Sequence, residues 1–131
     1  MPSQRRFDTF YKAATVDLDL YSLLVACGGD GTYHEVLNGM LARPDGRRIP
    51  FGMIPNGSGN DTCSSMGIFT LDHALDYIVN RTVTPIDTVR CLVDYENESD
   101  VPNNLEDKLK FCRHMVINGC VSLPALINSE A

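Results

Sequence analysis

The first 80 residues alternate between short apolar runs and apolar stripes at helical spacing. Residues 21–27 read Y-S-L-L-V-A-C, and residues 51–54 form a second, shorter run. Runs of this length are typical of strands buried on both faces of a parallel sheet. A helical stripe follows each of them. The pattern therefore predicts the order strand, helix, strand, helix, preceded by one further amphipathic helix.

The stripes that predict the helices share the spacing i, i+3, i+4 and i+7. Their members are Phe7, Phe10, Tyr11 and Ala14 in the first helix, Val36, Leu37, Met40 and Leu41 in the second, and Leu71, Ala74, Leu75 and Ile78 in the last. A short helix through about Met66 is expected between the second strand and the last stripe.

Several polar residues stand where helices are expected to begin. Thr32 and Glu35 have the spacing of a capping box, Ser58 is expected to cap the short helix, and Thr70 is expected to be the N-cap of the last helix. Gly39 lies inside the second predicted helix, where glycine costs about 1 kcal/mol relative to alanine. Close packing of this helix on the sheet is the expected reason for it.

The pattern changes near residue 85. Residues 86–95 alternate between apolar and polar side chains, and residues 111–117 form another extended run. Such a pair predicts two antiparallel strands, here joined by a long acidic loop. The sequence thus predicts an α/β part over residues 1–85 and a β-rich continuation over residues 86–131.

Composition excludes several classes of protein. With 44% hydrophobic and 21% charged residues, the chain can bury a core, and a net charge of −6 argues against a nucleic-acid surface. The basic cluster of Arg43, Arg47 and Arg48 is expected to be solvated. Five cysteines without a C-x-x-C pair favour neither disulfides nor a zinc site. With no secretory signal and no apolar run near eighteen residues, a cytoplasmic location without a membrane span is expected.

Two glycine-rich segments follow the two predicted strands: C-G-G-D-G-T at residues 27–32 and P-N-G-S-G-N-D at residues 55–61. Glycines at a strand–helix junction offer backbone N–H groups and the positive helix end to an anion. A side chain at Gly28, Gly29 or Gly31 would block a phosphate or forbid the required dihedral angles. The two segments, side by side on one sheet, predict a cradle for the phosphates of a nucleotide.

Asp30 lies between these glycines, and a carboxylate beside a polyphosphate usually holds magnesium or accepts a proton from an incoming hydroxyl. The structural alternative is that Asp30 caps the helix that follows it. There is no lysine between Lys12 and Lys108, so backbone N–H groups are expected to bind the phosphates. His34 could contact the nucleotide, but a helix-surface histidine is the favoured interpretation.

The segments 28–32 (G-G-D-G-T), 35–39 (E-V-L-N-G) and 55–61 together resemble the catalytic domain shared by diacylglycerol kinases and by sphingosine and ceramide kinases. The resemblance covers about residues 20–90. It implies an α/β fold, a three-layer nucleotide-binding domain of the NAD kinase/diacylglycerol kinase type that leads into an antiparallel β region. It also implies ATP as phosphoryl donor, Mg²⁺, and a lipid hydroxyl at a membrane surface as acceptor.

The resemblance also implies roles for individual residues, while it leaves the metal ligands unassigned. Asp30 matches the residue that is usually given the role of base, and Asn60 would lie near the nucleoside. The residues implied to bind ATP are Gly28, Gly29, Gly31, Thr32, Asn56, Gly57, Ser58, Gly59 and Asn60.

Alternatives remain open at this point. NAD kinases share G-G-D-G-T, but their second motif, N-x-G-x-L-G-F, is not matched by residues 56–60. Family members usually have an N-P-x-x-G strand-loop upstream, which the 27 residues before Gly28 lack, and a C-terminal β-sandwich. An internal portion of a kinase is therefore expected, or a non-catalytic fragment that at most binds ligands. Whether the lipid is diacylglycerol or a sphingoid base is left open.

The acidic segment from Asp94 to Asp100 alternates like a calcium loop, but it has no glycine at the sixth position and Leu105 at the twelfth. A solvated loop is therefore expected. His73 and His114 have no visible partner, and neither is predicted to be a ligand.

Overall fold

The structure is a computed structural model that describes residues 2–116. Its elements, in chain order, are α1 (Asp8–Thr15), β1 (Leu24–Gly28), α2 (Asp30–Leu41), β2 (Phe51–Pro55), α3 (Asp61–Ser65), α4 (Leu71–Val79), β3 (Val89–Leu92), a 3₁₀ helix (Glu98–Asp100), α5 (Leu105–Phe111) and β4 (Cys112–Met115). The chain is thus a mixed α/β protein, as predicted. Residues 117–131 of the predicted β-rich continuation lie outside the described residues.

Strands β1 and β2 pair in parallel, with Leu24 opposite Phe51 and Gly28 opposite Pro55. This confirms the predicted parallel pair. The prediction that both faces are buried is wrong for β1, because Val25 is 41% exposed while Ala26 is buried, whereas every residue of β2 is buried or half-buried. Among the described residues this sheet has two strands, so the apolar runs have one strand neighbour each.

The main core lies between the β1–β2 sheet and its helices. Its buried members are Ala13, Ala26, Tyr33, Val36, Met53, Cys63, Ile68 and Ala74. They come from α1, α2, α3 and α4 and from both strands, except for Ile68, which lies in the connection between α3 and α4. Helix α4 packs against β2, where a Cβ atom on Gly52 would lie only 3.1 Å from Ile78 Cγ1.

Gly39 permits close packing of α1 on α2. A Cβ atom at this position would lie 2.2 Å from the carbonyl oxygen of Phe10 and 3.0 Å from Ala13 Cβ. The prediction that Gly39 packs on the sheet is therefore wrong, and its partner is the backbone of α1. The spacing of apolar residues shows that a face is covered, but it does not say which element covers it.

Glu35 holds the start of α1 and not the start of its own helix. Its carboxylate accepts hydrogen bonds from the backbone N–H of Phe7, at 3.1 Å, and from the hydroxyl of Thr9. Helix α2 begins at Asp30 with Gly29 as N-cap, so Thr32 is already inside the helix. The predicted capping box is therefore wrong.

Arg43 holds the other end of α1. Its Nη1 donates to the carbonyl oxygens of Ala13, at 3.1 Å, and Val16, at 2.8 Å, while Nε and Nη2 donate to the two carboxylate oxygens of Asp45. The hydrogen bonds from the Arg43 guanidinium lower the pKa of Asp45 to about 2. Arg43 is only 7% exposed, so the prediction of a solvated residue is wrong here, whereas Arg47 is exposed as predicted.

Strands β3 and β4 form the predicted antiparallel pair, with Val89 opposite Met115. The acidic connection between them is partly helical, because it contains the 3₁₀ helix and α5. The side-chain amide of the buried Asn38 ties this hairpin to α2. It donates to the carbonyl oxygen of His114 at 2.9 Å and accepts from the N–H of His114 at 2.8 Å.

Two smaller predictions are tested by the helices of the described residues. Thr70 is the N-cap of α4, as predicted, and its hydroxyl accepts from the N–H of His73 at 3.2 Å. None of the helices between residues 2 and 116 has the length and apolar character that crossing a membrane requires.

We expect Gly39→Ala to destabilise the protein by about 1–3 kcal/mol, because the added methyl group overpacks the contact with Phe10. Gly31→Ala is the matched control on the same helix, since a Cβ atom there meets nothing within 4 Å. It should be neutral or stabilise by up to about 1 kcal/mol. The free energies of unfolding from denaturant titrations measure both effects, and equal values for the two variants would contradict this account of Gly39.

Candidate functional site

The two glycine-rich segments meet at the carboxyl edge of the β1–β2 pair. The N–H of Asn56 donates to the carbonyl oxygen of Gly28 at 2.8 Å. The backbones of Gly29 and Gly57 then touch, since a Cβ atom on Gly57 would lie 2.4 Å from Gly29 Cα. The structure thus brings together the two segments that the sequence predicted to be neighbours.

Close approach, and not an unusual dihedral angle, explains Gly28 and Gly29 of the first loop. A Cβ atom on Gly28 would lie 2.5 Å from Thr32 Oγ1, and one on Gly29 would lie 3.0 Å from Gly57 Cα. None of these loop glycines has a positive φ, so the dihedral argument made from the sequence is wrong. Gly31 faces open space, which leaves the start of α2 accessible.

The carboxylate of Asp30 caps α3. Its Oδ1 accepts from the N–H of Thr62 at 2.8 Å and from the Thr62 hydroxyl at 2.7 Å, and its Oδ2 accepts from the N–H of Asp61 at 3.1 Å. The sequence analysis named a cap on α2 as the structural alternative for Asp30, but the helix that Asp30 caps is α3. Ser58 does not cap α3, whose N-cap residue is Asn60. The hydrogen bonds from Thr62, and then the one from Asp61, lower the pKa of Asp30.

The side chain of Asn60 stabilises the second loop through hydrogen bonds to the backbone of Gly57. The backbone of Asn60 is left-handed, with φ at 58°. Its side-chain Oδ1 accepts from the N–H of Gly57, and its Nδ2 donates to the carbonyl oxygen of Gly57, both at 2.8 Å. The side-chain amide is thus engaged inside the loop, whereas residues 56–59 are exposed.

Tyr33 is a site residue that the sequence analysis missed. Its hydroxyl lies 2.6 Å from the carbonyl oxygen of Gly28 and 2.7 Å from that of Ile54, and it accepts from the thiol of Cys63 at 3.3 Å. The side chain is 2% exposed, and burial raises its pKa. The signal was present in the sequence, because Tyr33 lies three residues before Val36 and extends the apolar stripe of α2.

A large, mainly apolar cleft of about 1210 Å³ adjoins Asp30 and Gly31. It passes His34 and runs along β2 towards residues 81–87. Its apolar lining includes Leu23, Leu37, Met66, Ile68 and Ile86. His34 is half-buried at this cleft, and burial lowers its pKa, so it is less of a surface histidine than expected.

The parallel strands, the two touching glycine loops and the adjoining cleft define an α/β protein whose glycine-rich segments meet at one edge of its sheet. Residues 4–91 match the family model described as the diacylglycerol kinase catalytic domain. The chain therefore belongs to this family of lipid kinases.

Similar proteins carry matching names. The chain is 32% identical to a diacylglycerol kinase of Bacillus subtilis (strain 168), in an alignment that covers 94% of this chain and 44% of that protein. It is 33% identical to sphingosine kinase B of Dictyostelium discoideum over 63% of this chain and 11% of that protein. It is 50% identical to sphingoid long-chain bases kinase 1 of Arabidopsis thaliana over 37% of this chain and 7% of that protein. The chain thus spans less than half the length of each of these relatives.

No solved structure is significantly similar to the chain. The three-layer arrangement of the NAD kinase/diacylglycerol kinase type therefore stays a prediction, and the mixed α/β architecture described above is what the structure shows.

The Asp30 cap predicts a pH-dependent contribution to stability. Because the folded-state pKa of Asp30 is lowered from 3.8, its contribution is present above that pH and is lost as the pH falls through the folded-state value. We expect Asp30→Asn to destabilise the protein at pH 7 by about 1 kcal/mol. The difference from wild type should shrink below about pH 4.

Denaturant titrations at several pH values between 7 and 3 measure this difference. Thr62→Val is the matched variant, because it removes one donor to Asp30 and keeps the carboxylate. It should shift the acid-induced loss of stability to a higher pH. A difference between wild type and Asp30→Asn that stays constant across this range would show that the Asp30 cap contributes no ionic stabilisation.

Proposed function

We propose that the protein containing this chain transfers the γ-phosphate of ATP to the hydroxyl of a lipid, such as diacylglycerol or a sphingoid base, at a membrane surface. The observation that carries the proposal is the backbone contact between Gly29 and Gly57, because it sets two glycine-rich loops beside the starts of α2 and α3. Membership of the family supports a lipid kinase over the NAD kinase alternative.

The start of α2 is the better of the two helix ends for binding phosphate. The N–H groups of Asp61 and Thr62 at the start of α3 already bind the Asp30 carboxylate. Gly29, the N-cap of α2, has no side chain that could cap the helix, and Gly31 is open to solvent. The positive end of α2 is thus available to an anion.

The proposed ATP-binding residues are those that the family resemblance implied. They are Gly28, Gly29, Gly31 and Thr32 of the first loop, with Asn56, Gly57, Ser58, Gly59 and Asn60 of the second. Asn60 acts in this proposal by holding the backbone of Gly57.

Two carboxylates near Gly59 are suited to Mg²⁺. A Cβ atom on Gly59 would lie 3.3 Å from Asp30 Oδ2 and 3.7 Å from Asp61 Oδ2. Sites that bind Mg²⁺ with a nucleotide typically use one or two carboxylates together with phosphate oxygens. Asp61 would hold the ion in this proposal, since the remaining position of the Asp30 carboxylate is assigned to the acceptor hydroxyl, and bound Mg²⁺ neutralises charge on the phosphates.

Asp30 is proposed to orient the acceptor hydroxyl. A carboxylate offers about four lone-pair positions, and the contacts with Asp61 and Thr62 use three of them. One position thus stays available to a substrate. The lowered pKa makes Asp30 a weak base, so positioning is the larger part of its proposed role, as is usual in phosphoryl transfer.

The apolar cleft supports a lipid acceptor. Its volume of about 1210 Å³ exceeds that of a typical small-molecule pocket. It begins at Asp30, so a hydrocarbon chain lying in the cleft would leave its polar end beside the glycine loops.

Gly29→Val should weaken binding of a fluorescent ATP analogue to the full-length protein by about 10- to 100-fold. A Cβ atom on Gly29 would lie 3.0 Å from Gly57 Cα, and overpacking of this kind costs about 1–3 kcal/mol. Gly46→Asn is the control, because Gly46 is an exposed loop glycine with a positive φ that asparagine tolerates. Unchanged affinity in Gly29→Val would refute the phosphate cradle.

Asp30→Asn should lower kcat by about 10²- to 10⁴-fold while the KM for magnesium-ATP changes little. The assay is phosphorylation of diacylglycerol, sphingosine and ceramide in mixed micelles by the full-length protein. Thr62→Val loosens the same cap without removing the carboxylate, so its loss of kcat should be much smaller.

Two other results would assign a different role. A rise mainly in the KM for magnesium-ATP would make Asp30 a residue of the metal site. A wild-type protein that binds the ATP analogue but phosphorylates none of the three lipids would favour the non-catalytic binding module.

A further inference from the structure

Three side chains of metal-ligand type converge beside the β3–β4 hairpin, outside the proposed kinase site. They are Glu98, Cys112 and His114, and one ligand atom from each lies within 4.8 Å of the other two. Cys112 and His114 are two residues apart on β4, so they share one face of the strand. Glu98 reaches them from the 3₁₀ helix of the connection.

The chemistry of this set selects among cations. A thiolate, an imidazole and a carboxylate are ligands of zinc, and three protein ligands with one open position are common in its sites. Calcium and magnesium prefer oxygen ligands alone. With bonds of about 2.0–2.3 Å, the ligand atoms of a tetrahedral zinc centre lie about 3.3–3.8 Å apart. The cluster therefore needs only a small contraction, and the Glu98 side chain, 44% exposed, has room to move.

The groups around the cluster also resemble those of a metal site. Thr88 Oγ1 lies 3.2 Å from Nδ1 of His114, and a hydrogen bond to one ring nitrogen commonly orients a ligating histidine. Arg90 pairs with the Glu98 carboxylate. The positive charge of Arg90 disfavours a nearby cation. The Glu98 carboxylate and the Cys112 thiolate together carry two negative charges, which balance the charge of Zn²⁺.

We propose that Glu98, Cys112 and His114 bind Zn²⁺ and thereby crosslink the 3₁₀ helix to β4. Binding replaces the proton of the Cys112 thiol, which is released to solvent, and forms a zinc–sulfur bond. Because the backbone of His114 also pairs with Asn38, the crosslinked segment is fastened to α2. The site is independent of the proposed transfer of phosphate.

Zinc titration by calorimetry and cobalt titration by absorbance test the site in the reduced chain. We expect one ion per chain and a thiolate-to-cobalt charge-transfer band. Cys112→Ser should abolish the band, and His114→Ala should weaken zinc binding by about 100-fold or more. Cys91→Ser is the matched control on the same hairpin and should bind like wild type. Thr88→Val should weaken binding by roughly 10-fold.

The proposal is overturned if zinc binding is unsaturable or exceeds one ion per chain, since both indicate adventitious binding. It is also overturned if Cys112→Ser keeps the charge-transfer band or if Cys91→Ser loses it. His114→Ala tests the site even if the buried Cys112→Ser variant does not fold. His114 is half-buried, and its hydrogen bonds to Asn38 use main-chain atoms that the substitution keeps. Wild-type zinc affinity in His114→Ala therefore refutes the site as well.

Discussion

The hydrogen bonds from the start of α3 to the Asp30 carboxylate determine how the two loops lie. They join the first residue of α2 to the first two residues of α3. The second loop is thereby closed over a fixed span, and Gly57 is brought against Gly29. The N–H of Asn56 joins the two segments a second time, because it donates to the carbonyl oxygen of Gly28. Tyr33 adds a third constraint below them, at the carbonyl oxygens where the strands end.

The two helix starts at this edge differ in what binds their backbone N–H groups. Both α2 and α3 begin at the carboxyl edge of the sheet and have their positive ends there. The start of α3 is satisfied by an anion that belongs to the chain itself, while the start of α2 has no side-chain cap. Under the proposed function, the start of α2 is therefore the one of these two helix ends to which a phosphate would bind.

Local pattern predicted much of the fold, and distant contacts account for what it missed. The parallel strands, the main helices, the antiparallel pair and the meeting of the two glycine segments all follow from spacing and from the order of elements. The partners of Glu35, Gly39 and Arg43 do not, because each contacts residues of α1 far away in the sequence. Asp30 was likewise singled out from the sequence and the short helix α3 was expected, but the sequence did not show that Asp30 caps α3. Periodicity identifies a buried face, and only the folded chain identifies its neighbour.

Helix α2 also connects α3 with β4. Its first residue, Asp30, holds α3, and its ninth, Asn38, holds β4 through paired amide and backbone hydrogen bonds. These two attachment points are about 12 Å apart along a rigid helix. Since a helix bends far less easily than a loop, α2 keeps the attachment point of the β3–β4 hairpin at a fixed distance from the glycine loops.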